Sequence, residues 1–239
     1  MGELFNLDNK FFQGLNKIVD CFWLSLLWCI CCIPVAFTLY LLYGTGALLM
    51  LIPCVIAAVP AGVATTAMYY AINKVIRHGR GYVWKEFWHS FGTNLKQGAL
   101  VTLIVAAIAA MMGGDGYIMF QFAKEGQKSG MLYVVFIMLF LFVTAWSIYI
   151  FPYMARFENT TKLILKNAGF IAIGNLGKTI LMLALLAITA FAIYIVPFFI
   201  IILPAIYMLT VNIIMEKIFL KYMSEEDRAA EEERNRDFY

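Results

Sequence analysis

Lys85, Glu86 and His89 fall within five consecutive positions and between them supply an ammonium, a carboxylate and an imidazole, the groups that proton transfer uses. Trp84, Phe87, Trp88, Phe91 and Leu95 recur beside them at three- and four-residue steps. That periodicity makes the region an amphipathic helix whose polar face carries Lys85, Glu86, His89 and Ser90, so solvation accounts for their spacing. Cys29, Cys31 and Cys32 are the nearest approach to a metal-ligand set. They stand as Cys29-Ile30-Cys31-Cys32 inside an apolar stretch, and the chain's two histidines, His78 and His89, lie in a later loop, so packing accounts for them better than a metal does. No hydrolase elbow, phosphate-binding loop, metal-spaced His-Glu pair or nucleotide fingerprint occurs. The expectation is a protein that is not an enzyme and uses no cofactor or metal.

Binding offers more candidates than catalysis. Thr65 and Thr66 follow Pro60 and Gly62 in an otherwise apolar stretch, and Asn212 stands in another. Amides and hydroxyls in such surroundings require partners. A helix broken near Pro60 would present backbone to a small solute, whereas a kink with close helix packing would use the same residues structurally. Arg77, Arg80, Lys85, Glu86, Arg156 and Glu158 lie in two basic loops and are candidates for contacting a partner protein. Trp84 and Trp88 suit the headgroup zone, where an apolar ring with one N–H donor is favoured, and are read as interfacial anchors.

The elements that carry these residues follow from where charge is missing. Asp, Glu, Lys and Arg are absent from residues 21–73, 97–114, 129–155 and 179–215, runs of 53, 18, 27 and 37 residues. About 20 apolar residues make one helical crossing of a bilayer, so the first run is too long for a single span. Tyr43-Gly44-Thr45-Gly46 marks a reversal inside it, giving spans near Cys21 to Leu42 and Ala47 to Asn73. Pro197 and Pro204 bracket a second reversal, splitting the last run into Thr179–Val196 and about Ile200–Phe219, against the alternative of one kinked helix. The 18-residue run is a minimal span, lengthened if its helix starts near Leu95.

The result is an all-α, polytopic integral membrane bundle of about six transmembrane helices with interfacial amphipathic helices. Residues 1–20 read as an N-terminal interfacial segment, 21–222 as the membrane domain and 223–239 as a charged cytosolic tail. Sixteen of the 18 Lys and Arg residues fall on one side of this six-span arrangement. The positive-inside rule then places both termini in the cytoplasm. The net charge of +3 is too small and too dispersed for nucleic acid, and the lipid bilayer is the expected surrounding. No sequence feature sets the oligomeric state.

The stretches from Tyr69-Tyr70 to Asn94-Leu95-Lys96 and from Tyr149 to Asn175-Leu176-Gly177-Lys178 share an order: span, basic loop, surface helix, Asn-Leu, next span. That order reads equally as a parallel duplication and as the alternation any polytopic chain shows.

Three motifs, in order and spacing, resemble the YesL family of bacterial membrane proteins of unknown function. They are Phe5-Asn6-Leu7-Asp8-Asn9 with Phe11-Phe12 and Leu15-Asn16-Lys17; Pro60-Ala61-Gly62-Val63-Ala64-Thr65-Thr66-Ala67-Met68-Tyr69-Tyr70; and Gly81-Tyr82 through Phe87, Phe91 and Asn94-Leu95-Lys96-Gln97. The resemblance spans about residues 4–220, with a longer first hairpin around Thr38 to Pro60 and an acidic tail as departures. It implies a bacterial plasma-membrane protein associated with carbohydrate acquisition. The expected role is an accessory or regulatory component working with ABC-type sugar transporter subunits. A small-solute or oligosaccharide permease acting alone, with Thr65, Thr66 and Asn212 along its pathway, is the alternative.

Overall fold

The computed structural model describes residues 10–223, with side-chain surroundings from residue 14 onward. Eight α-helices account for nearly all of that range: α1 Lys10–Thr45, α2 Leu51–Ala71, α3 Val83–Thr93, α4 Leu95–Lys124, α5 Tyr133–Arg156, α6 Thr161–Gly174, α7 Leu176–Ile195 and α8 Leu203–Tyr222. No strand occurs among the described residues. Six of the helices, all but α3 and α6, are long and apolar enough to cross a membrane. The chain is therefore a multi-pass, all-helical membrane protein whose exposed apolar surface meets lipid.

The first reversal forms where the two glycines permit it. α1 ends at Thr45, and Gly46 adopts φ +64°, a left-handed conformation that costs a glycine nothing. The last uncharged run divides as expected: α7 stops at Ile195, a short 3-10 turn covers Pro197–Ile201, and Pro204 sits in the first turn of α8.

Two boundaries differ from expectation. α1 continues through position 20 without a break, and its 36 residues reach about 54 Å at 1.5 Å per residue. Residues 10–20 thus belong to the same continuous helix as the first span; positions 1–9, and the tail from 224 onward, lie outside the described residues. α4 likewise runs on past Asp115 to Lys124, where counting uncharged residues ends the span at 114. One aspartate does not outweigh the backbone hydrogen bonds that continuing the helix satisfies.

Burial is uneven along the bundle. Val63, Met68, Ile72, Tyr149, Ile150, Met215 and Ile218 are fully or almost fully buried, and all lie towards the ends of the second, fourth and sixth spans that carry basic residues. At the other end the helices separate. There α1, α2 and α4 border an open cavity of about 600 Å³ lined mainly by Leu, Val, Ala and Tyr side chains, with glycine backbone. α7 is peripheral, with only Thr179 and Met182 buried.

The tight half rests on close approach of α2 and α4. A Cβ built on Gly62 would lie 2.0 Å from Thr102 Oγ1, and one on Gly98 would lie 3.1 Å from Val63 Cγ2. Gly62 then Thr66 on α2 and Gly98 then Thr102 on α4 are small residues four positions apart, which leaves room for the approach of Gly62 to Thr102 and of Gly98 to Val63. Both threonine hydroxyls donate back to the carbonyls of those glycines, at 3.4 and 2.6 Å. Every hydroxyl proton at the contact is thereby accounted for without widening it.

Candidate functional site

The most polar assembly within the bundle joins three helix ends that are far apart in sequence. α2 passes at Ala71 into a π-helical turn over Ile72–Arg77. Such wide turns redirect side chains that a regular helix would distribute around its axis, and they recur at functional positions. Here Asn73, Lys74 and Arg77 are carried on one such turn. Arg77 Nη1 donates to Asn73 Oδ1 at 3.1 Å, to Asn212 Oδ1 at 2.8 Å and to Glu216 Oε2. Arg156, the last residue of α5, donates from Nη1 to the other carboxylate oxygen, Oε1, at 2.6 Å.

One carboxylate on α8 thus bridges two guanidiniums. The three side chains are between 13% and 23% exposed. Removal from water weakens screening between charges but costs each its hydration, and the hydrogen bonds offset that cost only while all partners are present. A water-sized cavity bordered by Tyr70, Asn73, Asn212 and Glu216 adjoins the bridge.

A second ion pair lies beside it. Lys74 Nζ donates to Glu86 Oε2 at 2.7 Å and approaches the Tyr70 hydroxyl at 3.4 Å. Glu86 is 6% exposed, with Val83, Phe87 and Ser90 on the same buried face of α3. The sequence-based assignment of that helix therefore rotates by about one position. Phe87 is buried as expected, but Glu86 and Ser90 face inward, while Trp84 and Trp88 are exposed and meet edge to face at 6.0 Å. The cause is Lys74: a half-buried cation just beyond the end of α2 gives the carboxylate a partner that a hydrophobic pattern cannot reveal. Two exposed tryptophans remain suited to a headgroup layer.

Of the six residues considered for partner contact, Arg77, Arg156 and Glu86 are thus engaged inside the molecule. Arg80 is half-buried, and Lys85 and Glu158 are exposed. Lys85, Glu86 and His89 are not brought together, because Glu86 turns inward while its two neighbours stay at the surface. Thr65, Thr66 and Asn212 are not assembled either. Thr65 donates to Ala61 O at 2.7 Å and accepts from Trp28 Nε1 at 3.0 Å, and Thr66 is fully buried against Gly62. Eleven residues separate Thr66 from Arg77, the partner of Asn212, which is roughly 16 Å along the helix. α2 also runs unbroken through Pro60, in keeping with the packing alternative for Pro60 and Gly62 and not with a broken helix.

The five cysteines are free thiols, three of them buried. Among the described residues no three His, Cys, Asp or Glu side chains gather as a metal site. Glu216 is not among the residues that the sequence singles out. The signal for it is an acidic residue in α8 one turn after Asn212, with arginines ending two other spans.

The ordering of the two similar stretches is visible as helices: α2, α3 and α4 against α5, α6 and α7. Asn94 and Asn175 each stand at the joint between a surface helix and the next span. Each donates its amide to the carbonyl four residues earlier, Ser90 O at 3.0 Å and Ile171 O at 2.9 Å. Arg77 and Arg156, one at the end of the first span in each set, meet on the same carboxylate.

Six spans fastened at one end by shared ion pairs define a multi-pass helical membrane protein. Over residues 21–115, from α1 into α4, the chain matches the family described as a protein of unknown function, DUF624. No curated protein and no solved structure matches the chain. The matched segment includes Arg77 and Glu86 but ends before Arg156 and Glu216.

Proposed function

We propose that this chain is an accessory or regulatory component of a bacterial plasma membrane, linked to carbohydrate uptake, with both termini in the cytoplasm. The observation that carries this reading is the division of its polar groups. The strongest charges inside the bundle are bound to one another, while Lys85, His89, Lys96 and Glu158 remain exposed at the basic end, ready for a protein partner. The sidedness follows from the excess of Lys and Arg at that end. The carbohydrate connection rests on the resemblance of the motifs near the N-terminus, Pro60 and Gly81 to YesL-type proteins. Permease subunits of an ABC-type sugar transporter are the partners it implies.

A permease acting alone is less well supported. The cavity between α1, α2 and α4 is apolar, and an oligosaccharide there would leave its hydroxyls without partners. The test is photo-crosslinking from position 85 or 89 in native membranes, followed by identification of the adducts. Recovery of transporter permease subunits is expected. Adducts to lipid alone, together with oligosaccharide flux into liposomes holding only this chain, would establish the other reading.

A further inference from the structure

We propose that the cleft between α5, α6 and α8 at the basic end binds the phosphate of an anionic phospholipid headgroup. The cleft, of about 350 Å³, is walled by Tyr153, Phe157, Phe170, Phe219 and Tyr222, with Asn167 at its edge. Cations lie over these rings. Arg156 Cζ is 5.8 Å from the Phe157 centroid and 5.7 Å from that of Phe219. Lys166 Nζ is 5.7 Å from Phe170 and Lys221 Nζ 5.8 Å from Tyr222.

The hydroxyls of the cleft are set to donate. Tyr153 Oη accepts from Asn159 Nδ2 at 3.2 Å and from Asn167 Nδ2 at 2.9 Å, which occupies both lone pairs. Its proton meets no acceptor among the described residues, although Tyr153 is only 8% exposed. A buried donor without an acceptor is costly, and a ligand oxygen removes that cost. Tyr222 Oη accepts in the same way from Asn175 Nδ2 at 3.2 Å. Glu216 is occupied by Arg77 and Arg156. Among the described residues, the donors and cations around the cleft favour an anion.

The membrane setting selects the source of that anion. Phe170 is 63% exposed, and Leu163 and Ile173 are exposed on the same helix, so the cleft adjoins apolar surface suited to acyl chains. Basic pockets between spans at the membrane surface commonly take phosphate-bearing headgroups.

The test is native mass spectrometry of the full chain in detergent, offered phosphatidylglycerol or phosphatidylcholine, with inorganic phosphate and glycerol 3-phosphate as soluble competitors. Phosphatidylglycerol should be retained about tenfold over phosphatidylcholine, and Lys166→Ala or Lys221→Ala should each reduce that preference about fivefold. Tyr222→Phe, at a half-exposed position that the fold does not need, should also reduce it, and Lys85→Ala should leave it unchanged. Equal retention of the two lipids overturns the proposal, whatever else fills the cleft. So does a loss from Lys85→Ala matching that from Lys166→Ala, which would indicate a diffuse surface attraction. Displacement of the lipid by millimolar inorganic phosphate would make free phosphate the ligand and would equally end it.

Discussion

A single carboxylate decides much of the energetics at the basic end. Glu216 accepts from both Arg77 and Arg156, so removing its charge leaves two guanidiniums close together with their hydration already surrendered. Glu216→Gln should lower the stability of the detergent-solubilised protein by about 2–3 kcal/mol, below the full cost of breaking a buried pair because the side chain is 16% exposed. Thermal unfolding monitored by thiol reactivity of the buried cysteines would measure it. A double-mutant cycle of Arg156→Ala with Glu216→Ala should show coupling above about 1 kcal/mol, and additive losses would remove the bridge from the account. The neighbouring pair gives a cleaner contrast. Glu86→Ala should cost about 1 kcal/mol or more, whereas Lys85→Ala, one position away and exposed, should stay within about 0.5 kcal/mol. Hydrophobic periodicity alone assigns Glu86 to the outer face. Only the three-dimensional neighbour Lys74 reverses that, which is why it was not legible in the sequence.

At the scale of helices, the number and order of the spans were legible because charge is excluded from hydrocarbon. The Gly44–Gly46 and Pro197–Pro204 breaks were legible because backbone freedom and a missing N–H end helices. Helix ends were less so: α1 and α4 continue past Asp20 and Asp115, since residues near a membrane surface remain helical when charged. The contact that sets the spacing of α2 and α4 was half legible. Gly62 suggested close approach, but its counterpart Thr102 lies 40 residues on and is marked by nothing more than small size. Gly62→Ala places a methyl carbon on Thr102 and should destabilise the bundle by about 1–3 kcal/mol. Adding Thr102→Ala should recover part of that loss in the same unfolding measurement. A Gly62→Ala protein as stable as its parent would mean that α2 and α4 do not pack as described.

For the molecule as a whole, one end is tightly packed and joined by ion pairs, and the other opens around an apolar cavity. In the proposed reading that asymmetry places function at the basic end, where side chains from the turn after α2 and from α3, α5 and α8 converge across sequence separations as long as 139 residues. No local pattern announces such a convergence. It exists because six crossings return the ends of α2 and α5 and the last turns of α8 to the same surface. The account therefore stands on the sidedness of the spans, and a pair of reporter fusions tests it most directly. A periplasmic-active phosphatase inserted after Gly126, between α4 and α5, should be active, and the same enzyme fused after Tyr239 should be inactive. Equal activity at the two positions would contradict six crossings, and with them the meeting of Arg77, Arg156 and Glu216 at one end.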